Sequence, residues 1–531
     1  MSPKRAAGVA GAATALALGA LASKALGFVR DIVFAGVFGA GGEMDAFFLA
    51  QSVPNIAITL LSSAVATASI PVLAGLIHDG RPSEAARTFR SLINLTTVAL
   101  ALACTGLALA ADHLVAVMAP GFETEQAALA ATLTRTLLSA SAFVAATTVI
   151  SGFLQAHNNF VLPAIVGIPF NLAMIAAAIL FGESHGVPAI AFGFVVGSAL
   201  RVLVLLPGLR SIEFRYRPSI DLGDEQFCEL LRLVPPLVAG YAIADVNGFV
   251  DRLVGSQQEV GTISALNYAY RLVRLPHALI VLALVQAIYP SLGGALATAD
   301  QRRFGDLLIK GLQLLTLALA PIAVLMVILA EPLIEFAYGR GNFGQRDTVL
   351  TAAALAGYSF GLITLALREL VARGLFALRD TRTPTLIAVL GMVVNVVGDV
   401  VLGRALGAFG LALTTTLSFT LTFALTARAL ASRAELEWER WRAVVVSVVL
   451  AGVMLAAVSW LALEQIGAAF SASPRLVEGL AKLAIPALLG LGAYGLVLWL
   501  LRTPGLDSLM GAIAGLLRSI RSRLRASEPD R

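Results

Sequence analysis

Apolar stretches of roughly 20 residues follow one another along nearly the whole chain, and a helix needs about that length to cross a bilayer. Of the 531 residues, 58% are hydrophobic and only 13% charged, against about 25% charged in an average soluble domain. The mean hydropathy is +0.85. In lipid every backbone amide must find its partner within the chain, so the spans are expected to be helices. The strand alternation that a membrane barrel requires is absent. Ala20-Leu21-Ala22 has the small-residue form of a signal-peptide cleavage site. The helical pattern runs straight past it, however, and the first span is read as retained.

Helices are expected near 8–37, 43–75, 88–117, 125–154, 160–182, 187–208, 226–255, 259–292, 304–337, 347–376, 383–403, 407–430, 441–464 and 476–501. The fold class is therefore an all-α polytopic membrane protein of about fourteen transmembrane helices. Basic residues concentrate in alternate loops. One set holds Lys4 and Arg5, Arg81, Arg87 and Arg90, Arg210, Arg215 and Arg217, Arg302, Arg303 and Lys310. It continues through Arg379 and Arg382 and through Arg433, Arg440 and Arg442 to a tail cluster, Arg518, Arg521, Arg523 and Arg525. The opposite set holds only Arg340, Arg346, Arg404 and Arg475. The positive-inside rule places the rich set and both termini in the cytoplasm. The net charge of +5 thus reads as topology and not as nucleic-acid binding. Cys104 and Cys228, in or near spans, do not form a disulfide framework or a thiolate metal site. The five histidines lack the H-E-x-x-H spacing.

The chain also resembles itself at an offset of about 221 residues. Gly27-Phe28-Val29-Arg30-Asp31-Ile32-Val33 matches Gly248-Phe249-Val250-Asp251-Arg252-Leu253-Val254. Pro54 then pairs with Pro276, Pro71-Val72-Leu73 with Pro290-Ser291-Leu292, Gly152 and Pro163 with Gly374 and Pro384, and Gly186 with Gly407. Each repeat holds six spans and starts on the same side, which makes this a parallel duplication of the kind found in transporters. The expected organisation is an N-terminal six-helix lobe (1–218), a C-terminal six-helix lobe (219–434), two additional helices (435–502) and a basic interfacial tail (503–531).

A charge at the bilayer centre costs at least about 2.5–3.5 kcal/mol, so it needs a wet cavity, a partner or a task. Lys24, Arg30 and Asp31 lie on span 1, Asp45 opens span 2, Asp245, Asp251 and Arg252 lie on span 7, and Arg271 and Arg274 on span 8. These are equivalent helices of the two repeats, and a charged cavity lined by helices 1, 2, 7 and 8 is expected. Asn267, Arg271 and Arg274 stand at i, i+4 and i+7, on one helical face. Two neighbouring guanidinium groups repel unless an anion sits between them, and arginine's bidentate fork suits phosphate. The plainer reading is that Arg271 pairs with an acid nearby, or that both arginines snorkel to an interface. Arg30 with Asp31 reads either as a local pair or as a cavity cation beside a gating carboxylate. Arg368 and Glu369 read as boundary charges.

A second constellation joins Asn395 and Asp399, one turn apart on span 11, to Thr415 on span 12, with Asp251 as a further oxygen donor. Hard cations prefer such ligands, and sodium is the expected occupant. A helix-packing hydrogen-bond cluster is the alternative.

The segment Leu26-Gly27-Phe28-Val29-Arg30-Asp31, with Phe38-Gly39-Ala40-Gly41, Asp45-Ala46-Phe47-Phe48 and Pro54-Asn55, resembles the signature of the MurJ (MviN) family. Ala119-Pro120-Gly121-Phe122, Tyr270-Arg271-Leu272 and Pro290-Ser291-Leu292 extend the likeness over nearly the full chain. The resemblance implies two six-helix lobes in a V plus two extra helices, within the multidrug/oligosaccharidyl-lipid/polysaccharide exporter superfamily. It implies a flippase that moves lipid II, the undecaprenyl-pyrophosphate-linked peptidoglycan precursor, to the periplasmic face by alternating access, with no catalysis. Carried over by position, Lys24, Arg30 and Arg271 would contact the pyrophosphate or sugar region, and Asn267 and Arg274 join this substrate-binding set through their shared face with Arg271. Asp31, Asp45 and Asn55 would serve gating or transport, and the lipid tail would run beside the last two helices. The implied partners are this undecaprenyl-linked lipid and the membrane lipids; the protein is expected to work as a monomer. Two positions depart from the family: Ile58-Thr59 stands where an arginine is frequent, and Arg274 where a glutamate is. The alternative substrate is accordingly another polyprenyl-linked oligosaccharide, an O-antigen or exopolysaccharide unit.

Overall fold

The computed structural model describes residues 3–212, 214, 216–298, 300–469 and 474–511. Side chains are additionally left undescribed at 3–18, 20, 57–63, 66–67, 235–247, 282–283, 286–287, 467–469 and 475. The tail cluster from Arg518 to Arg525, Arg215, and the side chains of Lys4, Arg5, Ile58, Thr59 and Asp245 therefore lie outside the described residues.

The described residues form helices joined by turns and short loops, with no strand. In chain order they form α1 (Pro3–Phe38), α2 (Gly42–His78), α3 (Pro82–Leu109), α4 (Ala111–Met118), α5 (Thr124–Leu138), α6 (Ser141–Ala156) and α7 (Val161–Ile165). Next come α8 (Gly167–His185), α9 (Pro188–Ser211), α10 (Glu225–Gly255), α11 (Thr262–Pro276), α12 (Leu282–Ala297), α13 (Gln301–Ile328) and α14 (Ala330–Tyr338). The chain ends with α15 (Gln345–Ser359), α16 (Gly361–Ala377), α17 (Arg382–Gly398), α18 (Arg404–Ala431), α19 (Trp438–Ala469) and α20 (Arg475–Leu500). Single π-helical turns join α11 to α12 and α17 to α18.

All fourteen expected stretches are helical, but several are broken. Ala110, Ser139–Ala140, Val166, Leu329 and Phe360 interrupt five of them. Among the described residues eight helices, or nine if the pair α5–α6 bent by 40° is one span, are long and apolar enough to cross a membrane. The count of fourteen spans rests on the sequence pattern.

The backbone carries the internal repeat. Asn158 and Arg379, the two members of one pair 221 positions apart, both adopt left-handed backbone (φ 60° and 62°). Gly186 and Gly407 do the same at the same offset (φ 61° and 58°). Left-handed backbone is uncommon outside glycine, so its recurrence at equivalent positions is a stronger signature than matching apolar letters.

By packing, the chain divides into two compact units, Met1–Ser264 with Tyr338–Asp347, and Ala265–Ala337 with Thr348–Arg531. This division differs from the repeat boundary near 218, because α10 packs along α2. In the first unit, Phe89 of α3 stacks on Phe153 of α6 with ring centroids 3.9 Å apart, and Phe214 meets both edge-on. Leu73, Leu205 and Phe227 close the same core. Elsewhere the helices approach through small residues, the usual means of association in lipid. Gly193 and Gly197 of α9 leave no room for a Cβ against Ala177 and Phe170 of α8, where it would fall 2.6 and 2.9 Å from their atoms.

In the second unit, α19 and α20 pack on α13 through Leu317, Val444, Val448, Leu455 and Leu498. The hydroxyl of Tyr494 donates to the Leu317 carbonyl at 3.2 Å, and Trp441 Nε1 donates to Thr316 Oγ1 at 3.0 Å. The outer faces of these two helices expose Val449, Val453, Met454, Leu488, Leu496 and Trp499. A contiguous apolar surface of this kind belongs in lipid.

Candidate functional site

The first unit contains a buried polar cluster where α1 meets α8. Arg30 is 8% exposed and Asp31 2%. Adjacent helical residues diverge by about 100°, yet the long guanidinium folds back, its Nη2 donating to Asp31 Oδ1 at 2.9 Å and its Nε at 3.2 Å. Nη1 donates to Asn171 Oδ1 at 3.1 Å. Asn171 is itself held by α1 and α8, its Nδ2 donating to the carbonyls of Ser23 and Gly167. The local pair read from the sequence is present, and Asn171 of α8 holds the same guanidinium from a second side. Lys24, two turns earlier on α1, is exposed, and so is Asn55 on α2.

Asp45, in the first turn of α2, is 3% exposed. Its Oδ2 accepts the Gly261 amide at 2.6 Å, while Oδ1 accepts both the amide and the hydroxyl of Ser264 at 2.7 Å. The carboxylate therefore caps the start of α11, where helix N–H groups lack partners and favour negative charge. Nearby, the Tyr338–Asp347 loop docks on the end of α1. The Asn342 amide donates to the Gly36 carbonyl at 2.8 Å, its side chain to the Val37 carbonyl at 2.6 Å, and Asp347 accepts the Ala40 amide at 3.2 Å.

In the second unit α11 runs unbroken to Pro276, so Asn267, Arg271 and Arg274 share the face their spacing predicts. Asn267 and Arg271 are half-buried and Arg274 exposed, its guanidinium carbon 5.0 Å from the centre of the Tyr270 ring. Glu369, read from the pattern as a boundary charge, instead lies 3.2 Å from Nε2 of buried His277 on the π-helical turn. Arg368 stacks over Phe419 at 5.2 Å.

Of the expected cation set, Asn395 and Asp399 are buried (1% and 0% exposed), and Asn395 Nδ2 reaches Thr415 Oγ1 at 3.5 Å. Asp251 lies on α10, in the first unit.

Sequence reasoning missed Asn171, Arg201, Ser264 and His277. Their partners lie far away in sequence and no spacing rule links them. Arg201 alone carried a usable signal, a lone charge in the middle of an apolar span.

The family model described as lipid II flippase MurJ matches residues 34–477, across both repeats. The chain belongs to the MurJ family. The lipid II flippase MurJ of Burkholderia cenocepacia is 30% identical over 407 residues, covering 74% of this chain and 78% of that protein. The probable lipid II flippase MurJ of Haemophilus influenzae is 29% identical over 466 residues, covering 83% and 90%. A solved lipid II flippase MurJ in an inward closed conformation shares the fold with a TM-score of 0.75 at 21% identity, over 91% of this chain and 97% of that one. An inward-facing multidrug resistance MATE family transporter of the MOP superfamily matches with a TM-score of 0.65 at 14% identity, over 77% and 95%. The MurJ family thus places this chain among polytopic helical transporters of the bacterial inner membrane.

Proposed function

We propose that this chain translocates lipid II from the cytoplasmic to the periplasmic leaflet by alternating access. The observation that carries this is the family match across residues 34–477, which spans both repeats. The geometry agrees with it. Arg30, buried and oriented by Asp31 and Asn171, is a fixed cation of the kind a pyrophosphate requires. Lys24, Arg271, Arg274 and Asn267 complete the headgroup contacts, and Asp31, Asp45 and Asn55 serve the gates. The undecaprenyl tail stays in lipid, beside the apolar faces of α19 and α20.

The chain acts as a transporter without catalysis, as a monomer, with its lipid as partner and no nucleic acid. Its two six-helix lobes are residues 1–218 and 219–434, and its termini are cytoplasmic. A ligand can drive the transition only by binding its two states differently. Sodium held by Asn395, Asp399 and Thr415 supplies part of that bias. The membrane potential supplies another part, about 2.3 kcal/mol per charge per 100 mV.

Replacing a host's own flippase with this chain tests the reading. Growth and normal cell shape on depletion of the host protein are expected, and lysis despite correct membrane insertion would refute it. The departures at Ile58-Thr59 and Arg274 favour one second reading, transport of another polyprenyl-linked oligosaccharide. Rescue of an O-antigen or exopolysaccharide flippase mutant, without rescue of the lipid II strain, would select it.

A further inference from the structure

We propose that Arg201 is a further contact for the pyrophosphate of the transported lipid, presented from the first unit alongside Arg30. The inference rests on the flippase reading and names a residue that neither the sequence spacing nor the family motifs singled out.

Gly193, Gly197 and Arg201 succeed one another at intervals of four and so share one face of α9. That face packs on α8. A Cβ on Gly197 would fall 2.9 Å from the Phe170 ring and 3.0 Å from its carbonyl oxygen, so only glycine lets the two backbones come this close. The approach sets the Phe170 ring under the next residue of the face, and the Arg201 guanidinium carbon lies 3.7 Å from the ring centre. Arginine stacks this way on an aromatic face while its edge stays available to acceptors.

Among the described residues no acceptor meets that edge. Among the described residues Arg201 makes no ion pair, and its Nε is buried without a hydrogen-bond partner. The side chain as a whole is half-buried. The ring alone compensates little of what an arginine loses on leaving water, so a structural role would be served as well by an apolar side chain stacked on Phe170.

The surroundings indicate what the acceptor is. Phe170 and Asn171 are consecutive, and each supports one arginine, Phe170 beneath Arg201 and Asn171 on Nη1 of Arg30. The two guanidinium groups are thus held by neighbouring residues of α8. Asp31 balances the charge of Arg30, which leaves Arg201 as the cation on this support with no carboxylate beside it among the described residues, and an anion bound there would compensate it. A diphosphate ester offers multiple charges and many acceptor oxygens, and it matches two planar forks better than a monophosphate does. Arg201 stands ten residues from the end of α9, about 15 Å along the helix. It is therefore well away from the helix end where ordinary phospholipid headgroups lie.

The full-length protein in detergent provides the test, with binding of lipid II, undecaprenyl monophosphate and phosphatidylglycerol measured by native mass spectrometry. Arg201→Met, which keeps an apolar contact with Phe170, should lose about tenfold or more in lipid II affinity, the order expected for a charge-assisted hydrogen bond. It should lose much less for the monophosphate, keep its affinity for phosphatidylglycerol, and unfold at the wild-type temperature. Arg201→Lys should lose an intermediate amount, since it keeps the charge without the fork. Undiminished lipid II affinity in the methionine variant, or in the lysine variant should the former not fold, overturns the proposal. Equal losses for lipid II and phosphatidylglycerol overturn it as well, marking Arg201 as a general lipid contact. A wild-type protein that prefers no undecaprenyl lipid over phosphatidylglycerol overturns the flippase reading itself.

Discussion

Asp45 accepts two hydrogen bonds from Ser264, one from the amide and one from the hydroxyl, both at 2.7 Å. A third, from the Gly261 amide, occupies its other oxygen. One carboxylate thus fixes the entry to α11, the helix that carries Asn267, Arg271 and Arg274. Asp45→Ala removes all three bonds and should cost about 1–2 kcal/mol, the usual worth of a helix cap. Asp45→Asn keeps one acceptor oxygen and should cost less. Thermal unfolding in detergent, run alongside complementation, measures both. An unchanged midpoint in Asp45→Ala would contradict the capping role.

Arg30 and Asp31 should behave as a unit. Arg30→Met leaves the 2%-exposed Asp31 without its guanidinium, and breaking a buried pair in this way costs about 3–5 kcal/mol. Adding Asp31→Leu should recover most of that stability and none of the transport. Recovery of both would assign the pair a purely structural role.

Gly341 has φ +59°, and a Cβ there would lie 2.0 Å from the Gly36 carbonyl oxygen. Gly341→Ala should push the Tyr338–Asp347 loop off α1, with a loss of about 1–3 kcal/mol, as for other overpacked contacts. A cysteine placed at Val37, whose carbonyl accepts from Asn342, should then label faster with a membrane-impermeant maleimide. Unaltered labelling would show that the loop does not hold that end of α1.

Sodium should stabilise the protein through Asn395 and Asp399. At about ten times its dissociation constant, a ligand adds about 1.4 kcal/mol. The thermal midpoint should therefore rise in sodium but not in choline chloride, and Asp399→Asn should abolish the difference. Equal effects of sodium, potassium and choline would leave the cluster as helix packing.

The helical class and the repeat were legible because both rest on periodic apolar letters, and periodicity survives without knowledge of side-chain torsions. The face shared by Asn267, Arg271 and Arg274 was legible for the same reason, since α11 has no break before Pro276. Breaks at Ala110, Ser139–Ala140, Leu329 and Phe360 were not, because the apolar pattern runs on across them with no proline at the break itself. Nor was the return of Arg30 onto Asp31, because it depends on rotamers and on Asn171, 141 residues away. Glu369 looked like a boundary charge in one dimension, and only the fold brings His277 to it.

The most direct measurement of the central claim is the amount of lipid II reachable at the periplasmic face of cells whose only flippase is this chain. An enzyme that cleaves lipid II and is confined to that face reads it out within minutes of blocking peptidoglycan synthesis. Cleaved product should appear with the wild type and fall about tenfold or more with Arg30→Met/Asp31→Leu at equal protein level, the loss expected when a charged hydrogen bond to the headgroup is removed. Equal cleavage in cells with the wild-type chain and in cells without any flippase would contradict the account.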